Sequence, residues 1–84
     1  MSAALSEVKA LLEDTLQLGN RAQSFDSSTP LLGSLPELDS MAVVHVITSL
    51  EEKYGFVVDD DEISADTFET LGSLAAFVEA KLSA

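Results

Sequence analysis

Leu38-Asp39-Ser40-Met41 places a carboxylate and a hydroxyl side by side, directly ahead of the apolar run Ala42-Val43-Val44-His45-Val46-Ile47. The run continues through Leu50-Glu51-Glu52-Lys53 to Tyr54, where Gly55 offers a stop. Read as a helix, this puts Asp39 at the cap, where its carboxylate can accept from the amides of the first turn. A hydroxyl at such a helix start lies beside unpaired amides and the positive end of the backbone dipole, a setting that stabilises a phosphate ester. The plainer reading is that Asp and Ser are both common caps and do nothing further. One cap suffices, however, so Ser40 is left exposed and without a structural job.

The other reactive groups offer less. His45 is the sole histidine; a catalytic imidazole needs an oriented partner, and the sequence supplies none, so a surface or docking role is expected. Asp59-Asp60-Asp61-Glu62 invites a calcium-loop reading, but Ser64 and Thr70 stand where that loop needs Gly and Glu. A solvated acidic cap on a short helix is the simpler account, and no metal site is expected. With no cysteine there is no disulfide framework, thiolate metal site or thiol nucleophile.

Length and charge narrow the classes further. Eighty-four residues make a single domain, 1–84, with little spare core for a deep preformed active site. Four Lys and Arg against 15 Asp and Glu give a net charge of −11, which repels nucleic acid and anionic membranes and favours basic patches on other proteins. The early charges Glu7, Lys9, Glu13 and Asp14 exclude a signal-peptide core, and no apolar run reaches membrane-spanning length. A cytoplasmic monomer without membrane insertion is the expectation.

The elements that must position Ser40 follow from spacing. Ser2 is the expected cap of a first helix over residues 3–18, with Leu5, Val8, Leu12 and Leu16 on one stripe, Leu11 at its edge, and Gly19-Asn20 as its stop. Residues 20–38 show no period, but Phe25, Leu31, Leu32, Leu35 and Leu38 suggest a long loop that packs across the helices. In the second helix Met41, Val44, Ile47 and Leu50 are expected to face the core. Phe56-Val57-Val58 reads as an extended connector, and residues 59–65 as a short third helix. Thr70 is the expected cap of a last helix over 71–82, with Leu71, Leu74, Phe77, Val78 and Leu82 inward. The fold class is all-α: a bundle of three main helices plus one short helix, with a long first loop.

That order of elements, together with the Asp-Ser-hydrophobic motif at Asp39-Ser40-Met41, resembles the acyl carrier protein family over essentially the whole chain. Leu50-Glu51-Glu52-Lys53-Tyr54-Gly55-Phe56 is similar to the Leu-Glu-Glu-x-Phe-Gly-Ile of stand-alone carriers, and Phe68-Glu69-Thr70-Leu71-Gly72-Ser73-Leu74 to the start of their final helix. The resemblance implies that Ser40 carries covalent 4′-phosphopantetheine, that Asp39 completes the motif, and that the arm holds acyl groups as thioesters between partner enzymes. It implies a carrier and not an enzyme. Its partners would be a phosphopantetheinyl transferase and acyl-loading and acyl-accepting enzymes with basic or apolar docking patches.

Several positions depart from the family pattern. Glu37 stands where a Gly often precedes the Asp, Met41 replaces the usual Leu, and Ala42 and His45 replace acids common on the exposed face. The docking candidates are therefore Met41, Val43, His45, Val46, Glu51 and Glu52. Val43 and Val46 form an apolar docking strip if they point outward; otherwise the helix is simply more deeply buried. Pro36 to Val44, with the later acidic run, resembles carriers of exosortase and exopolysaccharide loci, which implies a specialised lipid or exopolysaccharide-linked pathway. The alternative is an acidic helical interaction module with no prosthetic group. A hydrolase built on Ser40 ranks last, since it would need a base and an oxyanion pocket.

Overall fold

Leu5, Val8, Leu12 and Leu16 are all buried, and their three-to-four-residue spacing makes one face of the first helix the floor of the core. In the computed structural model, which describes residues 3–33, 35 and 38–83, this helix is α1 (Ala3–Leu16). It packs against both α2 (Ser40–Tyr54) and α3 (Leu71–Ser83). The described residues contain no strand, and the bundle is all-helical as expected. The proposed Ser2 cap lies outside the described residues.

The end of α1 differs from the expected Gly19 stop. Gln17 takes the left-handed conformation at φ 55°, and the Leu18 amide donates back to the Glu13 carbonyl at 3.0 Å. This closes the helix two residues early, because burying Leu18 anchors the chain where it turns away. A 3-10 turn over Gly19–Ser24 follows, inside the region expected to be irregular.

The long first connection does pack. Leu31 and Leu38 are buried with the helices, and Leu35 lies partly buried against them. Asp26 folds its carboxylate over the Ser28 amide and hydroxyl at 2.9 and 2.7 Å, bonds that hold its carboxyl below the usual range. Residues 27–32 then run beside 68–72 as a short backbone clasp. Leu31 and Leu32 donate to the carbonyls of Glu69 and Phe68, while Leu71 and Gly72 donate to those of Thr29 and Ser27. Gly72 sits so close that a Cβ there would meet the Ser27 carbonyl oxygen at 2.6 Å.

The expected short helix over 59–65 is instead two 3-10 turns, Asp60–Glu62 and Ala65–Phe68. The acidic run supplies no apolar stripe to hold an α-helix down, so each turn is tied by side chains instead. Glu62 takes the Asp59 amide at 2.9 Å and both of its carboxylate oxygens bind Lys81 Nζ at 2.8 and 3.0 Å. Those bonds, first the backbone amide and then the ammonium, lower the Glu62 pKa. Phe68 is fully buried and pins the second turn.

α3 begins as expected. Thr70 Oγ1 accepts from the Ser73 amide at 3.1 Å, and Ser73 Oγ accepts from the Thr70 amide at 3.0 Å, a reciprocal cap. Leu71, Leu74, Ala75 and Val78 form its buried face. Phe77 is partly buried, and Leu82 is 50% exposed, contrary to expectation, because the last turn is not covered by the bundle.

Candidate functional site

Ser40 is the first residue of α2 and is exposed. Asp39 is the cap, in extended backbone at φ −100° and ψ −176°, and its Oδ1 accepts from the Ala42 amide at 2.8 Å. The Asp39 carbonyl takes the Val43 amide at 2.9 Å, which starts the helical ladder. The amides of Ser40 and Met41 are thereby left without an acceptor inside the helix. With capping done by its neighbour, the Ser40 hydroxyl stands in solvent at the positive end of α2.

The opposite end of α2 is fixed firmly. Gly55 adopts φ 77° and donates to the Glu51 carbonyl at 2.8 Å, the left-handed stop that the sequence suggested. Tyr54 stacks on Phe56 with ring centres 5.8 Å apart and donates its hydroxyl to Glu7 of α1 at 3.0 Å. Burial, and then the Glu7 carboxylate, push the Tyr54 hydroxyl up to about 12. The helix that presents Ser40 is therefore held to α1 at its far end.

The inward face of α2 corrects the sequence-based expectation. Val46 and Leu50 are buried, with Ala42, Val43 and Ile47 packed partly against them, whereas Met41 is 68% and Val44 59% exposed. A strict three-residue spacing falls behind the helix by about 60° per step, so Met41 and Leu50 lie on opposite sides. Val46 cannot dock anything because it is in the core, and Val43 is only partly available. Glu51 is half-buried, and its Oε2 accepts from the Val58 amide at 2.8 Å, so it braces the connector.

What α2 does present is a continuous outer stripe of Met41, Val44, His45, Thr48 and Glu52, all exposed and spaced at three or four residues. Val44 and Thr48 were missed from sequence; the signal that finds them is the complementary stripe through Val46 and Leu50. Met41 and His45 also line an open cleft of about 370 Å³ with Asp39, Ala42, Thr15, Leu16 and Gln17, beside the start of α2. Glu37, the departure ahead of the motif, lies outside the described residues. Among the described residues, no group of three or more His, Asp or Glu side chains is placed to hold a metal ion.

This geometry suits a surface esterification site. The exposed alcohol is open to another catalyst, and the amides and dipole of the helix start would stabilise a phosphate if one were attached there. A family model described as the phosphopantetheine attachment site matches residues 6–78. The solution NMR structure of a holo acyl carrier protein from Nitrosomonas europaea superposes with a TM-score of 0.91 and is 61% identical, over 99% of this chain and 100% of that one. The chain belongs to the acyl carrier protein family. No curated protein matches it. As a carrier it is not an enzyme, and its cofactor is covalent 4′-phosphopantetheine, whose thiol holds the acyl group in a chain that has no cysteine of its own. The carrier has no helix, among the described residues, long and apolar enough to cross a membrane.

Proposed function

We propose that Ser40 is the residue of this acyl carrier protein to which 4′-phosphopantetheine is joined, and that Asp39 serves it by taking over the cap. The observation that carries this is the division of labour at the start of α2, where Asp39 binds the Ala42 amide and Ser40 stays exposed. The intact protein incubated with coenzyme A and a phosphopantetheinyl transferase gains the mass of one phosphopantetheine. Ser40→Ala gains none. A gain that survives the substitution, or no gain in the parent chain, overturns the assignment.

The docking partners in this reading meet the stripe of Met41, Val44, His45, Thr48 and Glu52. Met41 and Val44 make its start apolar, and the overall charge of −11 supplies long-range attraction. Acyl-loading and acyl-accepting enzymes with an apolar patch edged by basic residues fit that surface. The chain works in the cytoplasm as one domain and a monomer. Its departures from the common acidic docking pattern, at Ala42 and His45, support service in a specialised lipid or exopolysaccharide-linked pathway. Mass analysis of the acyl forms recovered from native cells tests this; ordinary fatty acyl intermediates alone would contradict it.

A further inference from the structure

Met41 is the residue after Ser40, and 68% of it is exposed. Its neighbour one turn on, Val44, is 59% exposed, and the two form the apolar part of the outer face of α2. Met41 also lines the cleft shared by Asp39 and His45. An uncovered thioether is open to attack by peroxides, and oxidation turns a flexible apolar side chain into a polar one. Among the described residues, the other large exposed apolar side chains are Leu32, Val57 and Leu82, and none of the three has an oxidisable sulfur.

We propose that Met41 is a reversible oxidation site that controls recognition of the carrier by its partners. This rests on Ser40 being the attachment residue and adds a condition on its neighbour. A hydroperoxide delivers one oxygen atom to the Met41 sulfur. The O–O bond breaks, the S=O bond forms, the sulfur loses two electrons, and hydrogen peroxide leaves as water. A methionine sulfoxide reductase reverses the step: a dithiol gives up two electrons and two protons, becomes a disulfide, and releases the oxygen as water. The fold survives because Met41 is outside the core. The partner's apolar patch, however, now meets a strongly hydrated dipole beside Ser40 and must desolvate it to dock.

The test uses hydrogen peroxide on the unmodified full chain, with the sulfoxide at Met41 confirmed by peptide mass and the melting temperature checked for an intact fold. The rate of phosphopantetheine transfer from coenzyme A is then read by intact mass. The oxidised chain is expected to react with kcat/KM lowered roughly fivefold or more, the scale of one apolar anchor lost from an interface. Reductase and dithiol restore the rate. Met41→Leu, compared with its own untreated sample, keeps its rate after peroxide, and since it retains Met1 it controls for oxidation there. Equal rates for oxidised and untreated chains, or a Met41 that resists peroxide under conditions that oxidise free methionine, overturn the proposal alone. An untreated chain that never gains the arm overturns the attachment reading and this proposal together.

Discussion

Asp39 caps α2, and Ser40 beside it is exposed at the start of the helix. The carboxylate closes the first turn through the Ala42 amide, so the cap does not call on the Ser40 hydroxyl. Removing the carboxylate should therefore cost stability even though Asp39 is exposed. Asp39→Ala is expected to lose about 1 kcal/mol, within the range for helix caps. In a chain of this size that lowers Tm by roughly 4–8 °C. Asp39→Asn, which keeps the acceptor, should lose far less. Thermal melts of the two variants check the point, and equal losses would show that the cap bond is not what Asp39 contributes.

At the scale of elements, α3 depends on its neighbours at both ends. Gly72 is needed because the Ser27 carbonyl approaches within 2.6 Å of where a Cβ would stand. Ala would otherwise gain up to about 1 kcal/mol in a helix, but overpacking against rigid backbone costs about 1–3 kcal/mol. The second effect wins, so Gly72→Ala should lower Tm, in contrast to most glycine replacements in helices. At the other end Lys81 holds Glu62. The Glu62 carboxyl titrates below its ordinary value in the fold, so its stabilising effect is full above the unfolded pKa and disappears as pH falls through the folded one. Glu62→Gln should thus melt below the parent chain at pH 7, and the gap should close in acid below the usual carboxylate range. A gap that is unchanged in acid would mean that charge is not what Glu62 provides.

Elements were legible in the sequence where residue types contrasted along the chain. The α1 stripe from Leu5 to Leu16 alternates with polar positions, so its inward face could be read directly. The Asp39 and Thr70 caps and the Gly55 stop were legible because each has one dominant physical use. The α2 face was not, since from Met41 to Ile47 nearly every position is apolar and periodicity has no polar side to define it. The docking candidates inherited that ambiguity, which is why Val46 stood as a docking residue if outward while Val44 was expected inside. The short helical piece was legible in the acidic turn, but its 3-10 form was not, because part of its order comes from Lys81, which is distant in sequence.

Across the whole molecule, charge opposes compactness. Fifteen carboxylates face 4 Lys and Arg, and Lys81 is already committed to Glu62. The remaining repulsion is long-ranged and screened by salt. Raising monovalent salt from about 10 to about 200 mM should lift Tm by roughly 5 °C, and millimolar magnesium should do the same at lower ionic strength. A Tm that is flat or falling would show that mutual repulsion is a minor strain in this fold.

The clasp between residues 27–32 and 68–72 has one more consequence. Four amides there, on Leu31, Leu32, Leu71 and Gly72, are bonded across the molecule and beside buried Leu31 and Phe68. Solvent deuterium reaches such groups only when the surrounding unit opens. The Leu31 and Leu32 amides, in a stretch that looks like coil, should therefore exchange with deuterium as slowly as helix amides, and hydrogen-exchange mass spectrometry checks this.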